Sequence, residues 1–223
     1  MNTPESTPEF ARLRKRMIDE QLQARDVVDE RVLAAMAEVP RERFMPDELR
    51  DSAYDDGAFA IGQGQTISQP YTVAYMCQAL RLRGHEHVLE VGTGSGYGAA
   101  VLGRLAHRVT SIERRPELAD QARRRLQTLG YDNVRVVTGD GTRGCPEEAP
   151  FEAIVVTAGA ATLPEALVAQ LHPAGTLVIP IDRDGAGQTM YRYTFDDRGR
   201  LRREDLGSFA FVPLVGRYDA PQS

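Results

Sequence analysis

From His87 onward the chain alternates short β-branched runs with helical stretches, and that alternation leaves few folds open to it. The runs are His87 to Val91, Arg108 to Glu113, Val134 to Thr138, Phe151 to Thr157 and Thr176 to Ile181. Stretches of helical periodicity, about Tyr97 to Leu105, Pro116 to Leu129 and Leu163 to Leu171, separate the first three runs and the last two. Such an order builds a parallel sheet covered on both faces, because each crossover helix must lie over the sheet. At the end of the chain, Thr189 to Phe195 and Asp205 to Leu214 flank the turn Asp197-Arg198-Gly199, which predicts an antiparallel hairpin.

The front of the chain is helical. Phe10, Leu13, Met17, Ile18 and Leu22 draw one apolar stripe along a helix from about Pro8 to Arg25. A second helix runs from its cap, Asp29, to a stop at Pro40. Gly57 to Gln69 reads as a loop leading into a helix from Pro70 through Leu80, and loops of that length are uncommon unless they bind something. The expectation is a single domain over residues 1–223, with a helical segment and substrate loop over 1–80 and a cofactor-binding core over 85–216.

Composition narrows the function classes. A chain of 223 residues can hide roughly 70% of its unfolded surface in one core, so neither a metal nor a disulfide is required for folding. Cys77 and Cys145 stand apart, with no Cys-x-x-Cys pair and no His at ligand spacing, so they read as free thiols and no metal site is expected. A net charge of -5 argues against a dedicated nucleic-acid surface. No run of about 18 apolar residues exists for a membrane span, and Met1 to Glu9 lacks the apolar core of a secretory signal, so a cytoplasmic protein is expected. His85, His87, His107 and His172 read as surface or cap residues, the methionines Met17, Met36 and Met76 as core, and Arg123-Arg124-Arg125 as a solvated helix face.

The residues richest in chemistry are Glu90-Val91-Gly92-Thr93-Gly94-Ser95-Gly96, where the first run of the body ends and a helix begins. A glycine-rich turn there lets a ligand approach bare backbone at the carboxyl edge of the sheet. The dinucleotide pattern Gly-x-Gly-x-x-Gly would need glycine at position 97, where Tyr97 stands, and a phosphate-binding P-loop would need a lysine that is absent. Glu113 ends the second run, where a carboxylate can accept both ribose hydroxyls of an adenosine. Asp140 and Gly141 end the third, where the acid can accept from an adenine amino group. Taken singly, the glycines can serve a turn, Glu113 a helix cap and Asp140 an Asx turn. Together, three strand ends offering acids and bare backbone to one crevice point to S-adenosylmethionine.

Several segments carry a resemblance to the protein-L-isoaspartate O-methyltransferases, from about Met17 to Gly216. They are Val39-Pro40-Arg41-Glu42-Arg43-Phe44, Ile61-Gly62-Gln63-Gly64-Gln65-Thr66-Ile67-Ser68-Gln69-Pro70, Val88 to Gly96, Ser111-Ile112-Glu113-Arg114, Gly139-Asp140-Gly141, Ala149-Pro150-Phe151 and Phe211-Val212-Pro213-Leu214. The resemblance implies an α/β fold: a doubly wound class I methyltransferase (Rossmann-like) sheet with a helical N-terminal segment and a C-terminal antiparallel hairpin. It also implies methyl transfer from S-adenosylmethionine, leaving S-adenosylhomocysteine, to the α-carboxyl of L-isoaspartyl residues in damaged proteins and peptides, as a monomer. By the same resemblance Ser68 matches the active-site serine, and Thr66 and Ile67 shape the peptide site. Val212, Pro213 and Leu214 form a strand beside the substrate backbone. Glu90, Gly92, Thr93, Gly94, Ser95, Gly96, Glu113, Asp140 and Gly141 are the expected cofactor residues.

This chemistry accounts for the lack of a strong acid–base cluster, because a carboxyl of pKa roughly 3 to 4 is already ionised at neutral pH. Ser68 also stands two residues before Pro70, where it can cap the helix instead. Gly57-Ala58-Phe59-Ala60 departs from the family's usual proline-flanked apolar pair, and Cys145 stands where bacterial relatives commonly carry Trp. Two rivals remain: a related carboxyl methyltransferase acting on another peptide or a small carboxylate, and a non-catalytic S-adenosylmethionine-binding module.

Overall fold

The computed structural model describes residues 7–183 and 187–216. The first six residues of the Met1 to Glu9 stretch, and both ends of the 1–223 assignment, lie outside them.

Helix α1 (Pro8–Arg16) begins where Thr7 Oγ1 accepts from the Phe10 N–H at 3.3 Å. The predicted helix to Arg25 continues instead as a π-helical stretch, Met17–Gln23. Met17 and Leu22 lie five residues apart and are both fully buried, and the wider i→i+5 turn lets both face the core. Helix α2 (Glu30–Glu38) is capped by Asp29, which accepts from the Arg31 and Val32 N–H groups at 2.9 and 3.3 Å.

The expected loop at Gly57 to Gln69 is a correction. It holds an antiparallel hairpin, β1 (Phe59–Gly62) and β2 (Gln65–Ile67), pairing Phe59 with Ile67 and Ala60 with Thr66. Its turn places Gly62, Gln63 and Gly64 all at positive φ, which two flanking glycines make affordable for the glutamine between them. Strands of four and three residues are too short to display a period.

Helix α3 (Pro70–Leu80) precedes β3 (His87–Val91), α4 (Tyr97–Leu105), β4 (Arg108–Glu113), α5 (Pro116–Thr128), β5 (Val134–Thr138) and β6 (Phe151–Val156). Then follow α6 (Glu165–Val168), β7 (Leu171–Asp182), β8 (Gln188–Phe195) and β9 (Leu201–Phe209). Seven strands form one sheet in the order β5-β4-β3-β6-β7-β8-β9, the first five parallel and the last two added antiparallel. The chain reverses direction of travel across the sheet between β3 and β6, and a crevice opens at the carboxyl ends of strands at such a point.

Two boundaries differ from expectation. The helix expected over Leu163 to Leu171 is only the short α6, and Leu171 already pairs with Phe151 as the start of β7. The hairpin's second strand is Leu201–Phe209 rather than Asp205 to Leu214. Asp196 Oδ1 accepts from the Arg198 and Arg200 N–H groups, so the turn closes at once and Leu201 falls opposite Phe195. The charged run Arg202, Arg203, Glu204 hid this strand, because charges protect the free edge of a sheet.

Alternate residues of each strand face opposite sides. Val88, Val109, Ala153, Val155 and Val178 pack with α2 to α4 and the front helix, whereas Leu89, Val91, Ile154, Val156 and Leu177 pack on the other face with Leu167 and Phe151. Met17, Met36 and Met76 are in the core, and Cys77 and Cys145 are buried free thiols.

His87 is no surface residue. Its ring lies 4.6 Å from Phe151, Nε2 is 3.0 Å from Thr110 Oγ1, and Arg108 Nη2 is 2.9 Å from Nδ1. Burial, then the Arg108 charge, hold its pKa below the ordinary 6.5, although Glu148 and Glu152 oppose the shift. The unfolded chain therefore binds this proton at a pH where the folded protein does not, so stability falls as pH drops below about 6.5. Urea midpoints measured on either side of that pH should fall more for the wild type than for His87→Asn; parallel losses would rule His87 out as a source.

Candidate active site

A cavity of about 800 Å³ opens at the carboxyl edge of the sheet. One wall is the turn after β3. Gly92, Gly94 and Gly96 sit at φ of 100°, 52° and 90°, a region closed to most side chains. A Cβ at Gly92 would stand 2.3 Å from Thr157 Oγ1, which itself donates to the Gly92 carbonyl at 2.8 Å. Thr157 thus ties the loop to the end of β6, a role that no local pattern announced. Gly96 has a packing function: a Cβ there would meet Ala122 Cβ at 3.3 Å, so its absence lets α4 close onto α5.

The acids at the three strand ends are held in three different ways. Glu113 Oε2 accepts from the Gly94 N–H at 2.9 Å and Oε1 from the Arg115 N–H at 3.0 Å, fixing a carboxylate beside the glycine turn. Glu90 is 1% exposed and receives a hydrogen bond from Ser111. Asp140 holds the Asx turn, its Oδ1 accepting from Thr142 N at 3.1 Å and from Thr142 Oγ1 at 2.7 Å. Asp140, Gly141 and Gly96 do not line the cavity, whereas Glu90, Gly92, Thr93, Gly94, Ser95 and Glu113 do.

The opposite wall is strand β2 of the hairpin, with Thr66 and Ile67, and Ser68 just after it. The two walls meet directly: a Cβ at Gly94 would lie 3.4 Å from Ile61 Cδ1 and 3.9 Å from the Thr66 carbonyl oxygen. Ser68 does not cap α3. Gln69 occupies the N-cap position without a side-chain hydrogen bond to the helix. Instead Gln69 Nε2 donates to Asp56 Oδ1 at 2.7 Å, and Asp56 pairs with Arg25, whose guanidinium lies 4.8 Å above the Tyr71 ring.

Val212 closes the third side, whereas Pro213 and Leu214 fall outside the lining. These three residues are not part of β9. They form a lone parallel bridge to Gly159, with Gly159 N donating to Val212 O at 2.8 Å and Leu214 N to Gly159 O at 2.7 Å. Gln188 mimics a strand next to them, accepting from Phe211 N at 2.7 Å and donating to Phe211 O at 3.2 Å. Tyr71, Tyr75, Phe209 and Phe211 form an aromatic wall, with Tyr71 and Phe209 stacked at 6.4 Å.

Arg125 corrects the reading of Arg123-Arg124-Arg125 as a solvated face. It is half-buried, and Nη1 donates to the Ser95 carbonyl at 2.6 Å, clamping the glycine turn from outside. Arg125→Ala should raise the dissociation constant for S-adenosylmethionine about fivefold, the worth of roughly one hydrogen bond. An unchanged constant by calorimetry would dismiss the clamp.

A glycine turn tied to a strand-end carboxylate, at the point where a doubly wound sheet reverses its order, defines a Rossmann-like methyltransferase. The family described as protein-L-isoaspartate(D-aspartate) O-methyltransferase (PCMT) matches residues 12–219. The chain is 52% identical over 207 residues to Protein-L-isoaspartate O-methyltransferase 1 of Rhodopseudomonas palustris (strain HaA2), covering 93% of this chain and 84% of that one. It is 53% identical over 203 residues to Protein-L-isoaspartate O-methyltransferase 2 of Pelobacter propionicus, covering 91% and 90%. Among solved structures, a protein-L-isoaspartate O-methyltransferase superposes with a TM-score of 0.82 at 30% identity, over 91% of this chain and 66% of that one. A Plasmodium falciparum structure, described as a putative protein-L-isoaspartate O-methyltransferase in complex with S-adenosyl-L-homocysteine, gives 0.78 at 26% identity, over 91% and 98%. The chain belongs to the protein-L-isoaspartate(D-aspartate) O-methyltransferase family.

Proposed function

We propose for this chain the repair reaction of its family: methyl transfer from S-adenosylmethionine to the α-carboxyl of L-isoaspartyl residues in damaged proteins and peptides. The observation that carries the reading is the meeting of Gly94 with Ile61 and Thr66, which brings the cofactor turn and the Thr66-Ile67-Ser68 segment into one cavity. The donor set fits the cofactor: a carboxylate fixed at the end of β4 for ribose hydroxyls, bare backbone at Gly92 and Gly94, and acids near a cationic head.

When bound, S-adenosylmethionine supplies an electrophilic methyl group on a positively charged sulfur. That methyl would pass to a substrate carboxylate oxygen with the sulfur as leaving group, and Glu113 and the backbone of Gly92 and Gly94 would hold the donor. The attacking carboxylate oxygen carries no proton to remove, so the chain needs no general base. Its task is alignment, which can lower a barrier by about 7 to 11 kcal/mol. Ser68 donates to one carboxylate oxygen and leaves the other to attack. Ile67, which is buried, and the hairpin above it keep water from that side. Opposite charges cancel during the transfer, so a drier cavity favours the transition state over the separated ions. The remaining cofactor residues, Gly96, Asp140 and Gly141, shape the support of the turn and the adenine side, and Val212 to Leu214 flank the peptide backbone.

We extend the proposal to one domain over 1–223, a monomer, working in the cytoplasm. One core cluster runs from Met17 in the front helix to Val178 in β7, which supports the first point. Two buried unpaired thiols fit a reducing compartment. No helix among the described residues is long and apolar enough to cross a membrane.

The decisive experiment is methyl transfer to matched peptides carrying L-isoaspartate or normal aspartate. Base-labile label should appear on the isoaspartyl peptide alone. Label on the aspartyl peptide, or on neither, would reject the repair assignment.

A further inference from the structure

Glu90 is the most deeply buried acid of the cavity wall, and no ion pair with it is found among the described residues. It is the penultimate residue of β3, is 1% exposed and lines the cavity. Oε2 accepts from Ser111 Oγ at 2.5 Å, and Ser111 Oγ lies 2.6 Å from Thr93 Oγ1 in the glycine turn. Oε1 has no hydrogen-bond partner among the described residues and lies over the first turn of α4, where a Cβ at Gly98 would come within 2.5 Å of it.

The titratable groups around it add no cation. From β4 comes Glu113, from α3 the buried Cys77 thiol, and from α4 the Tyr97 hydroxyl beside Cys77. Arg41 stands beyond, stacked 4.8 Å from the Tyr97 ring. From β6 the paired residue is Val155. Burial, together with Glu113 and against the Ser111 hydrogen bond, pushes the Glu90 carboxyl up to about 8.

The reaction changes the charge of the molecule in this cavity. S-adenosylmethionine carries a sulfonium and an ammonium against one carboxylate, whereas the demethylated product has lost the sulfonium charge. We propose that Glu90 senses this difference: it is a neutral acid in the free protein, becomes a carboxylate as the sulfonium form binds, and takes its proton back once the methyl group has left. The proton passes to and from solvent, and its return removes an attraction that would otherwise retain product. The inference rests on the methyltransferase reading above.

The sign follows from linkage. Below the free carboxyl's pKa, binding must expel a proton, so affinity for S-adenosylmethionine rises with pH by up to about tenfold per pH unit and levels off above about 8. Affinity for S-adenosylhomocysteine changes less.

Calorimetry near neutral pH, in two buffers of different ionisation heat, counts the protons. Close to one should be released per S-adenosylmethionine bound, distinctly fewer per S-adenosylhomocysteine, and none for either ligand with Glu90→Gln of unchanged circular dichroism. Equal release with both ligands, or release persisting in Glu90→Gln, overturns the proposal. Should that variant fail to fold, the wild-type affinity ratio of the two ligands decides: a ratio climbing severalfold toward alkaline pH supports the sensor, and a flat ratio overturns it. Failure of either ligand to bind would overturn the methyltransferase reading and the sensor with it, whereas binding of both without a proton difference overturns the sensor alone.

Discussion

Glu113→Ala is expected to weaken S-adenosylmethionine binding by about 100-fold, close to 2.7 kcal/mol. Hydrogen bonds to a charged group contribute about 1.5 to 3 kcal/mol each, and the proposed carboxylate receives two from the ribose. It also organises the cavity wall. Each Glu113 oxygen already takes one backbone N–H, from Gly94 and from Arg115, and keeps a second lone pair for a ligand hydroxyl. Alanine would leave the Gly94 N–H without its acceptor at a residue held at positive φ, so the turn would lose definition together with the ligand contact. Calorimetric titration checks the loss, and a change below about threefold would exclude Glu113 from the ribose site.

Ser68→Ala should lower kcat/KM for an isoaspartyl peptide by about 10- to 100-fold, the worth of one hydrogen bond to an ionised carboxylate. Stability should move by less than about 0.5 kcal/mol, since Ser68 caps nothing and is only half-buried. That separation is what the structure adds: a capping serine would lose roughly 1 kcal/mol on the same change. If the hydroxyl orients the reacting carboxylate, the loss falls on kcat as well as on KM. Turnover unchanged at saturating peptide would strike Ser68 from the reaction.

Much of this molecule was legible because its signals are local. The runs from His87 to Thr138 became strands within a residue of expectation, since short β-branched runs between helical stretches mark strands by their own composition. Asp29 and Pro70 announced helix starts through side chains that act on their own neighbourhood. The glycine turn was readable for the same reason, because left-handed backbone leaves few other residues in contention.

Where expectation failed, the missing information lay elsewhere in the chain. The second hairpin strand, expected over Asp205 to Leu214, runs instead over Leu201–Phe209, where charged residues sit on the free edge of the sheet. Arg125 reads as a surface cation in sequence, yet the packing of α5 against α4 delivers it to Ser95, 30 positions away. Thr157, remote in sequence from the glycine turn, ties it to the end of β6 through the Gly92 carbonyl.

The sequence by itself determined the alternating core, the cofactor turn and the family, because periodicity, glycine conformation and motif order are properties of neighbouring residues. Tertiary structure alone decided which acids face the cavity, which arginine clamps the turn, and that Glu90 is buried beside Glu113 with its carboxyl pushed up by desolvation. Those depend on burial and on distances between segments remote in sequence, and a carboxyl's charge follows from its surroundings rather than from its name.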